Sequence, residues 1–490
     1  MKIDKAVPLK SADSPPISDF RVPTSYDVLI IGAGMSGLAA GIRLAHFGKR
    51  VCILERHTTI GGLNSFYRLA GRNHDVGLHA VTNFTPKGTK TGPLARLLRQ
   101  LRFSWDEFEL RPQLGSRIAF PGVNLRFDND SRLLLSQIAD HFPTQIDGLR
   151  RLIAELPDYD QLGSGGPPGS ARGYLSKYLS EPLLCEMLMC PLMYYGNARE
   201  QDMDVAQFCI MFRSIFLEGF ARPFAGVRLI LKKLVRRYKE LGGELRLNSG
   251  VRQLAVEGDR IAGVVLDNGE ELSARQVLSS AGHVETLRLC SSPSKKTPSV
   301  LSPPAPGILS FVETVSVLDR QPCELDHHET IVFFNDSPAF DWRRPEALVD
   351  PRSGVICSPN NFAYDEPLHE GIVRVTALAN FDRWQELSPD DYSREKERWY
   401  REVQASAIRF VPDFRPHVVA TDMFTPITIR RFTGHDHGAV YGAPEKRYDG
   451  TTSFDNLFLC GTDQGFVGIV GAIVSGIAMA NAHCLKNQLQ

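Results

Sequence analysis

Apolar and polar positions fall into distinct blocks along the chain. Asp27 to Ile31 (DVLII) is a short apolar run of strand type that leads straight into glycines. Residues 38–47, LAAGIRLAHF, carry apolar side chains at helical spacing, and Gly48 stands where such a helix stops. Lys49 to Glu55 (KRVCILE) predicts a second buried strand. Strand, glycine turn, helix and strand form a βαβ unit, whose right-handed crossover requires a parallel sheet.

From about residue 86 the pattern turns helical, in PLARLLRQL, RLLLSQIADHF and QIDGLRRLIAEL, with little punctuation by glycines and strands. LGSGGPPG, residues 162–169, is a loop, and 174–219 reads as helix. VRLILKKLVRRYKELGG predicts an amphipathic helix stopped by Gly242 and Gly243. Short strands follow in ELRLN, VRQLAVE, RIAGVVLD and ELSARQVLSSA, two of them joined as a hairpin by DNGE at 267–270. Residues 300–445 mix strands and helices in no simple order. The C-terminal stretch returns to a strand, FDNLFLCG, then a glycine-rich turn and a helix. The α/β material therefore comes in separated blocks, which predicts a discontinuous cofactor domain with a substrate domain threaded through it.

Composition narrows the class. The 490 residues include 56 Lys plus Arg and 56 Asp plus Glu. That balance argues against a sequence-independent nucleic-acid binder and gives no support to a polybasic membrane clamp. With 43% hydrophobic and 23% charged residues the chain is globular rather than disordered. Nine cysteines run from Cys52 to Cys484 with no CxxC pair, which reads as buried free thiols rather than a disulfide framework or zinc site. Residues 1–25 mix acids with bases and hold no apolar run of signal-peptide length, so they read as a flexible tail. Gly465 to His483, GFVGIVGAIVSGIAMANAH, is uncharged, but it holds four glycines and begins just after Asp463. It reads as a buried loop-to-helix element, not a membrane span.

The chemistry starts at GAGMSG. Gly32, Gly34 and Gly37 form GxGxxG between a predicted strand and a predicted helix, the context that the motif needs. Gly32 permits the tight turn, Gly34 lets the backbone approach a pyrophosphate, and Gly37 lets helix and strand pack closely. Ala33 and Ser36 lie in the same loop, where a hydroxyl can join the phosphate cradle. The helix N-terminus offers free N–H groups to the phosphates. Glu55, 18 residues after Gly37, ends the next strand, placed to accept hydrogen bonds from a ribose diol. This fingerprint serves NAD and FAD alike.

Glu55-Arg56 followed by Gly61-Gly62 and Leu63 resembles the extended FAD motif of glutathione-reductase-type flavoproteins, in the amine-oxidase and phytoene-desaturase branch. The resemblance runs over nearly the whole chain from Tyr26. It implies an α/β fold with a discontinuous Rossmann-like FAD-binding domain (26–85, 222–295 and 446–490) and an inserted α+β substrate-binding domain (86–221 and 296–445). It implies that Val251 contacts the adenine region. In LFLCGTDQGFVGIVGAIVSG, which also brings Gly461 to the cofactor, it implies that Asp463 meets the ribityl or pyrophosphate part and that Gly468 to Ala472, with Ile469 and Val470 among them, lie against the isoalloxazine. Asp75, Gly77 and His79, with GTDQGFVGIVGA, look closest to the retinol-saturase and carotene-isomerase subgroup. RPFAG, Arg222 to Gly226, departs from the subgroup's PxGG by one glycine, at a stretch expected to touch substrate.

His79 follows the flavin-proximal Gly77 and is read either as a proton donor beside the ring or as a hydrogen-bonded structural histidine. His435 and His437 flank Asp436 in a loop; without a third ligand they read as solvated, and His327 and His328 likewise as exposed. No metal site is expected. Met187, Met189, Met193, Tyr194 and Tyr195 are read as helical core or as the wall of a polyene tunnel. Lys232, Lys233, Arg236 and Arg237 form a solvated helix face or a membrane contact.

The resemblance implies an FAD-dependent oxidoreductase acting on a long apolar isoprenoid, carotenoid or retinoid-like, by desaturation, saturation or isomerisation. A quinone or oxygen is the expected electron acceptor. The expected setting is cytoplasmic, peripheral at the inner face of a membrane. Two alternatives stay open: a flavin-containing amine oxidase, and a non-catalytic prenyl-binding module of the Rab GDP-dissociation-inhibitor type.

Overall fold

The computed structural model describes residues 25–77, 79–159, 168–294 and 304–486. The tail expected over 1–25 lies outside them except for Ser25, as does most of the 162–169 loop. The chain begins with β1 (Ser25–Ile31), α1 (Met35–Ala45) and β2 (Val51–Leu54), then a hairpin of β3 (Phe66–Leu69) and β4 (Arg72–Asp75). It continues with α2 (Gly92–Leu101), β5 (Leu110–Pro112), β6 (Ser116–Phe120), β7 (Val123–Phe127), α3 (Ser131–His141) and α4 (Ile146–Glu155). Next come α5 (Ala171–Leu175), α6 (Pro182–Gly196), and α7 (Val205–Phe212), which runs into a π-helical turn, Arg213–Glu218. After β8 (Ala221–Pro223) and α8 (Val227–Glu240) come β9 (Glu244–Arg246), β10 (Val251–Glu257), β11 (Arg260–Leu266), β12 (Glu271–Ser279) and α9 (His283–Leu289). The remainder is β13 (Ser310–Leu318), β14 (Ile331–Asn335), β15 (Val349–Cys357), β16 (Gly371–Ala379), α10 (Phe381–Gln385), α11 (Pro389–Ala407), β17 (Val418–Phe424), α12 (Pro426–Thr433), β18 (Leu457–Leu459) and α13 (Gly468–Met479).

The first sheet has the order β10-β11-β12-β1-β2-β9, with β18 also on β12. Its centre is parallel: β1 pairs with β2 and β12, β2 with β9, and β12 with β18. β12 is long enough to serve twice, since its start pairs antiparallel with β11 through the DNGE hairpin. The three blocks of α/β sequence thus share one sheet. α1, α8 and α13 pack over it around Leu38, Ile42, Leu234 and Ile473. The apolar stretch from Gly468 continues as a π-helical turn to Leu485 and is long and apolar enough to cross a bilayer. Here it packs on α1 and α2, with 56% of it buried. Helix α2, which lies in a segment expected to bind substrate, also joins this first core through Leu94, Leu97 and Leu101.

The second sheet has the order β17-β13-β16-β15-β14-β6-β7. Both faces are covered, so its strands are apolar on both sides. Phe311, Phe333 and Val355 join the core shared with α6 and α7, whereas Val312, Phe334 and Ile356 join the core under α11. The β6–β7 hairpin corrects the helical reading of the region after residue 86: Pro121-Gly122 turns it, with Gly122 at φ 77°.

Candidate functional site

The βαβ turn is fastened from several sides. Gly32 N–H donates to Leu54 O at 2.8 Å. Ala33 N–H donates to Glu55 Oε2 at 2.9 Å, and His57 N–H to Glu55 Oε1 at 3.0 Å, so two backbone donors orient this carboxylate. Gly61 N–H donates to Ala33 O at 3.0 Å, and Gly34 and Gly61 form a parallel bridge that lays the two glycine motifs side by side. At Gly37 a Cβ would stand 2.1 Å from Gly32 O, which no side chain tolerates. Gly34 caps α1 without a side-chain hydrogen bond, leaving the first-turn N–H groups for a ligand.

A cavity of about 460 Å³ opens from this cradle into the second region. Gly32, Gly34, Ser36, Glu55, Arg56, Gly61, Gly62, Leu63 and Val251 line it, together with His79, Gly461, Gly468 and Ile469. Ala33 and Gly37 shape the turn behind it. Val470 is buried in the core with α1.

Asp463 corrects the expectation that it meets the cofactor's ribityl or pyrophosphate part. It is 2% exposed and accepts from His283 N–H at 2.6 Å and Ala443 N–H at 2.7 Å, with Lys446 Nζ 3.9 Å away. Gly442, where a Cβ would overlap Asp463 Oδ1, lets the carboxylate turn inward. Asp463 is a strut joining α9, the 443 segment and the C-terminal turn.

His79 stands at a polar corner of the cavity. Its Nε2 lies 3.2 Å from Thr376 Oγ1 and 3.5 Å from Glu313 Oε1. Glu313 in turn makes a tight ion pair with Arg374. Glu313 and Thr376 are register partners on β13 and β16, and Arg374 is two residues along on the same face. Burial pushes the Glu313 carboxyl up, but the adjacent Arg374 and His79 outweigh it and hold it at about 2. Burial depresses His79 below the ordinary histidine range, with Glu313 opposing only in part. The sequence signal for this corner was present but unused: Glu313 is the one charge in SFVETVSVL, and Arg374 the one charge in GIVRVTALA.

The other walls are apolar and aromatic. Tyr194, Tyr195, Phe311 and Tyr441 line the cavity, with Met211, Val355 and Val440. Tyr194 OH and Ser353 Oγ are 2.9 Å apart, and Tyr441 OH donates to Tyr194 O. Met187, Met189 and Met193 are instead fully buried in the core beneath.

A strap, α12 and the turn after it, crosses the cavity beside Arg56. Phe432, Thr433, Gly434 and His435 line the cavity there, facing Glu285 and Arg288 of α9. Arg288 binds Asp436 through contacts of 2.6 and 2.9 Å, Asp436 N–H donates to Glu285 Oε1 at 2.8 Å, and Arg56 donates to Arg431 O at 3.1 Å. These contacts correct the solvated reading of the loop histidines. His435 is 7% exposed, 3.5 Å from Glu285, and His437 Nδ1 lies 3.0 Å from Gly307 O. His327 is also buried, 3.4 Å from Glu329, whereas His328 is exposed. Among the described residues no group of three or more His, Cys, Asp or Glu is placed to hold a metal.

The arrangement fits an extended dinucleotide with a ring system at its far end. A Cβ at Gly34 would meet only Gly61 O at 4.0 Å, so the cradle floor is bare backbone. Glu55, Val251 and the start of α13 at Gly468 all line the same cavity.

Comparison with known proteins agrees. The family model described as flavin containing amine oxidoreductase matches residues 35–482. Prolycopene isomerase 2, chloroplastic, of an Oncidium hybrid cultivar is 24% identical, covering 93% of this chain and 83% of that protein. All-trans-retinol 13,14-reductase of Danio rerio is 22% identical, covering 95% and 87%. Among solved structures, an oxidoreductase from Methanosarcina mazei superposes with a TM-score of 0.65 at 17% identity, covering 94% of this chain and 100% of that one.

Proposed function

The chain belongs to the flavin containing amine oxidoreductase family, and on that premise we propose that it acts on carbon–carbon bonds of a long apolar isoprenoid, carotenoid or retinoid-like, by desaturation, saturation or isomerisation. It is an FAD-dependent enzyme. FAD, when bound, supplies the two-electron acceptor or donor. Gly32, Gly34, Ser36, Glu55 and Arg56 are placed to hold its nucleotide half, and Gly61, Gly62, Leu63, Gly461, Gly468 and Ile469 its flavin half.

The observation that carries the reading is the chemistry of the cavity beyond the cradle. Its walls are Tyr194, Tyr195, Phe311, Met211, Val355 and Tyr441, and among the described residues there its strongly polar corner is His79 with Glu313. Such walls align an apolar chain and exclude water. His79 is the group there that can hold or release a proton. Relatives named for prolycopene isomerisation and retinol 13,14-reduction support the substrate class.

Amine oxidation is the alternative that the family name raises. A lysine beside the flavin would favour it, and among the described residues no lysine lines the cavity. A non-catalytic prenyl-binding role would not need the glycine cradle, which is present in full.

The reading extends to a quinone or oxygen as electron acceptor. It also places the protein in the cytoplasm, peripheral at the inner face of a membrane, because substrates of this kind dissolve in bilayers. Expression in hosts accumulating phytoene, zeta-carotene or poly-cis-lycopene, with product chromatography and retinol as a fourth substrate, tests the reaction. Unchanged profiles on all four, with peroxide released from simple amines, would reverse the choice. Flotation with liposomes tests the membrane contact: protein that stays at the bottom of the gradient removes that part.

A further inference from the structure

We propose that Glu313, backed by Arg374, is a positioning residue that holds His79 in the tautomer and orientation needed to exchange a proton with the substrate carbon skeleton. The proposal rests on the isoprenoid reading above. It starts from geometry. Glu313 and Thr376 are brought side by side by the β13–β16 register, and both face Nε2 of His79. An ionised carboxylate 3.5 Å from Nε2 can only accept, so its charge favours the tautomer with the proton on Nε2, shared with Thr376 Oγ1, and the lone pair on Nδ1. The contacts of His79 with Thr376 and Glu313 are both made through Nε2, and His79 lines the cavity. The arrangement has the logic of a base oriented by a carboxylate behind it.

The charges around His79 make Glu313 decisive. Glu313 on β13 favours a protonated imidazole, whereas Arg374 on β16 and Arg222 on β8 oppose it. Two further titratable neighbours are neutral. Burial pushes the Cys357 thiol on β15 up to about 12 and raises the Tyr195 phenol on α6. Take away Glu313 and the surrounding charges oppose the imidazolium. Arg374 then has its own purpose: it keeps Glu313 ionised in a site that is otherwise aromatic.

The step balances as follows for desaturation. One C–H bond breaks with its electron pair and leaves as hydride, for which the family's flavin is the two-electron oxidant. The neighbouring C–H bond yields its proton to His79 Nδ1, and its electron pair becomes the new π bond. The imidazolium, steadied through Nε2–H by Glu313, afterwards releases the proton to water.

The test uses the purified flavoprotein as wild type, Glu313→Gln, Glu313→Asp and the double variant Glu313→Gln/Arg374→Gln. Flavin absorbance reports the fold, and kcat and KM are measured against pH on the polyene that the wild type converts. The expected result is full flavin content, little change in KM and a plateau kcat lower by roughly 100-fold in Glu313→Gln. The acidic limb of its profile moves to lower pH, because an imidazole without its carboxylate protonates less readily. Glu313→Asp recovers part of the rate. The double variant removes both buried charges, so it folds even if the single variant does not, and its kcat stays low. NMR of histidine-labelled protein, assigned with His79→Gln, reads the same downward shift of the His79 titration without substrate. An unmoved pH profile and rate in flavin-loaded Glu313→Gln or the double variant overturns this assignment alone. A wild type inert towards every polyene overturns the functional reading itself.

Discussion

Arg222 and Asp75, 147 positions apart, close a buried ion pair at 2.6 Å. The second carboxylate oxygen of Asp75 accepts the N–H of Val227 at 3.2 Å, at the start of α8. Gly226 lies between these partners with φ 69°, and a Cβ there would stand 2.1 Å from Asp75 Oδ2. RPFAG and the DxGxH run are therefore one device. The glycine that RPFAG keeps is the one that Asp75 requires, and none of residues 222–226 lines the cavity. The stretch expected to touch substrate holds the β3–β4 hairpin against α8 instead.

Asp75→Asn strips a buried guanidinium of its carboxylate and is expected to cost about 3–5 kcal/mol of stability. Removing both charges, in Asp75→Asn/Arg222→Met, recovers most of it. Urea midpoints of the three proteins, measured at equal flavin occupancy, check the ordering. A single variant as stable as the wild type would contradict the pair's structural role.

Gly37→Ala drives a methyl group against Gly32 O, where backbone cannot move without opening the turn. A loss of about 1–3 kcal/mol in stability is expected from the overpacking, with a larger proportional loss of bound flavin. The ratio of flavin to protein absorbance after purification reads it directly. Gly48→Ala is the control: its added Cβ would meet nothing within 4 Å, and only its φ of 68° disfavours it.

The Arg288–Asp436 pair clasps the strap over the cavity, and Arg288 is 61% exposed. Asp436→Asn should change stability by less than about 1 kcal/mol. It should nevertheless raise the rate of FAD release several-fold, because Glu285, His435 and Phe432 then open together. Recovery of free-flavin fluorescence after dilution measures that rate. An unchanged rate would show that the strap does not retain the cofactor.

The His435–Glu285 contact carries a pH signature. Burial lowers His435, but the Glu285 carboxylate 3.5 Å from Nδ1 outweighs it and raises the histidine above 6.5. Its contribution is fully present below pH 6.5 and is lost as pH rises through the raised value. Glu285 is pushed up by burial yet ends below 4.5 because His435 faces it. Its contribution is present above pH 4.5 and is lost as pH falls through the lowered value. The stability gap between wild type and His435→Gln is therefore greatest between pH 4.5 and 6.5. Urea midpoints across pH 4 to 9 check it; a flat gap contradicts the pairing.

The glycine cradle was legible because local rules suffice there. Gly32, Gly34, Gly37 and Glu55 lie within one βαβ unit, where Gly32 takes φ 95° and Gly37 leaves no room for a Cβ beside Gly32 O. Asp463 was misread because its carboxylate is decided by distant partners, His283 N–H and Ala443 N–H, which no spacing relates to it. His435 looked solvated for the same reason: its partner Glu285 lies 150 positions away on α9. The β6–β7 hairpin hid behind amphipathic helices on both sides, although Pro121-Gly122 marked its turn.

The order of apolar and polar residues by itself determined the parallel sheet, the glycine turn and the burial of the C-terminal helix, since periodicity and glycine placement act over a few residues. Only the tertiary structure decided which charges meet. Glu313, Arg374 and His79 become a unit because two strands far apart in the chain align in register and a loop after β4 folds onto them. A buried charge is stable only beside its partner, and that partner is chosen by packing.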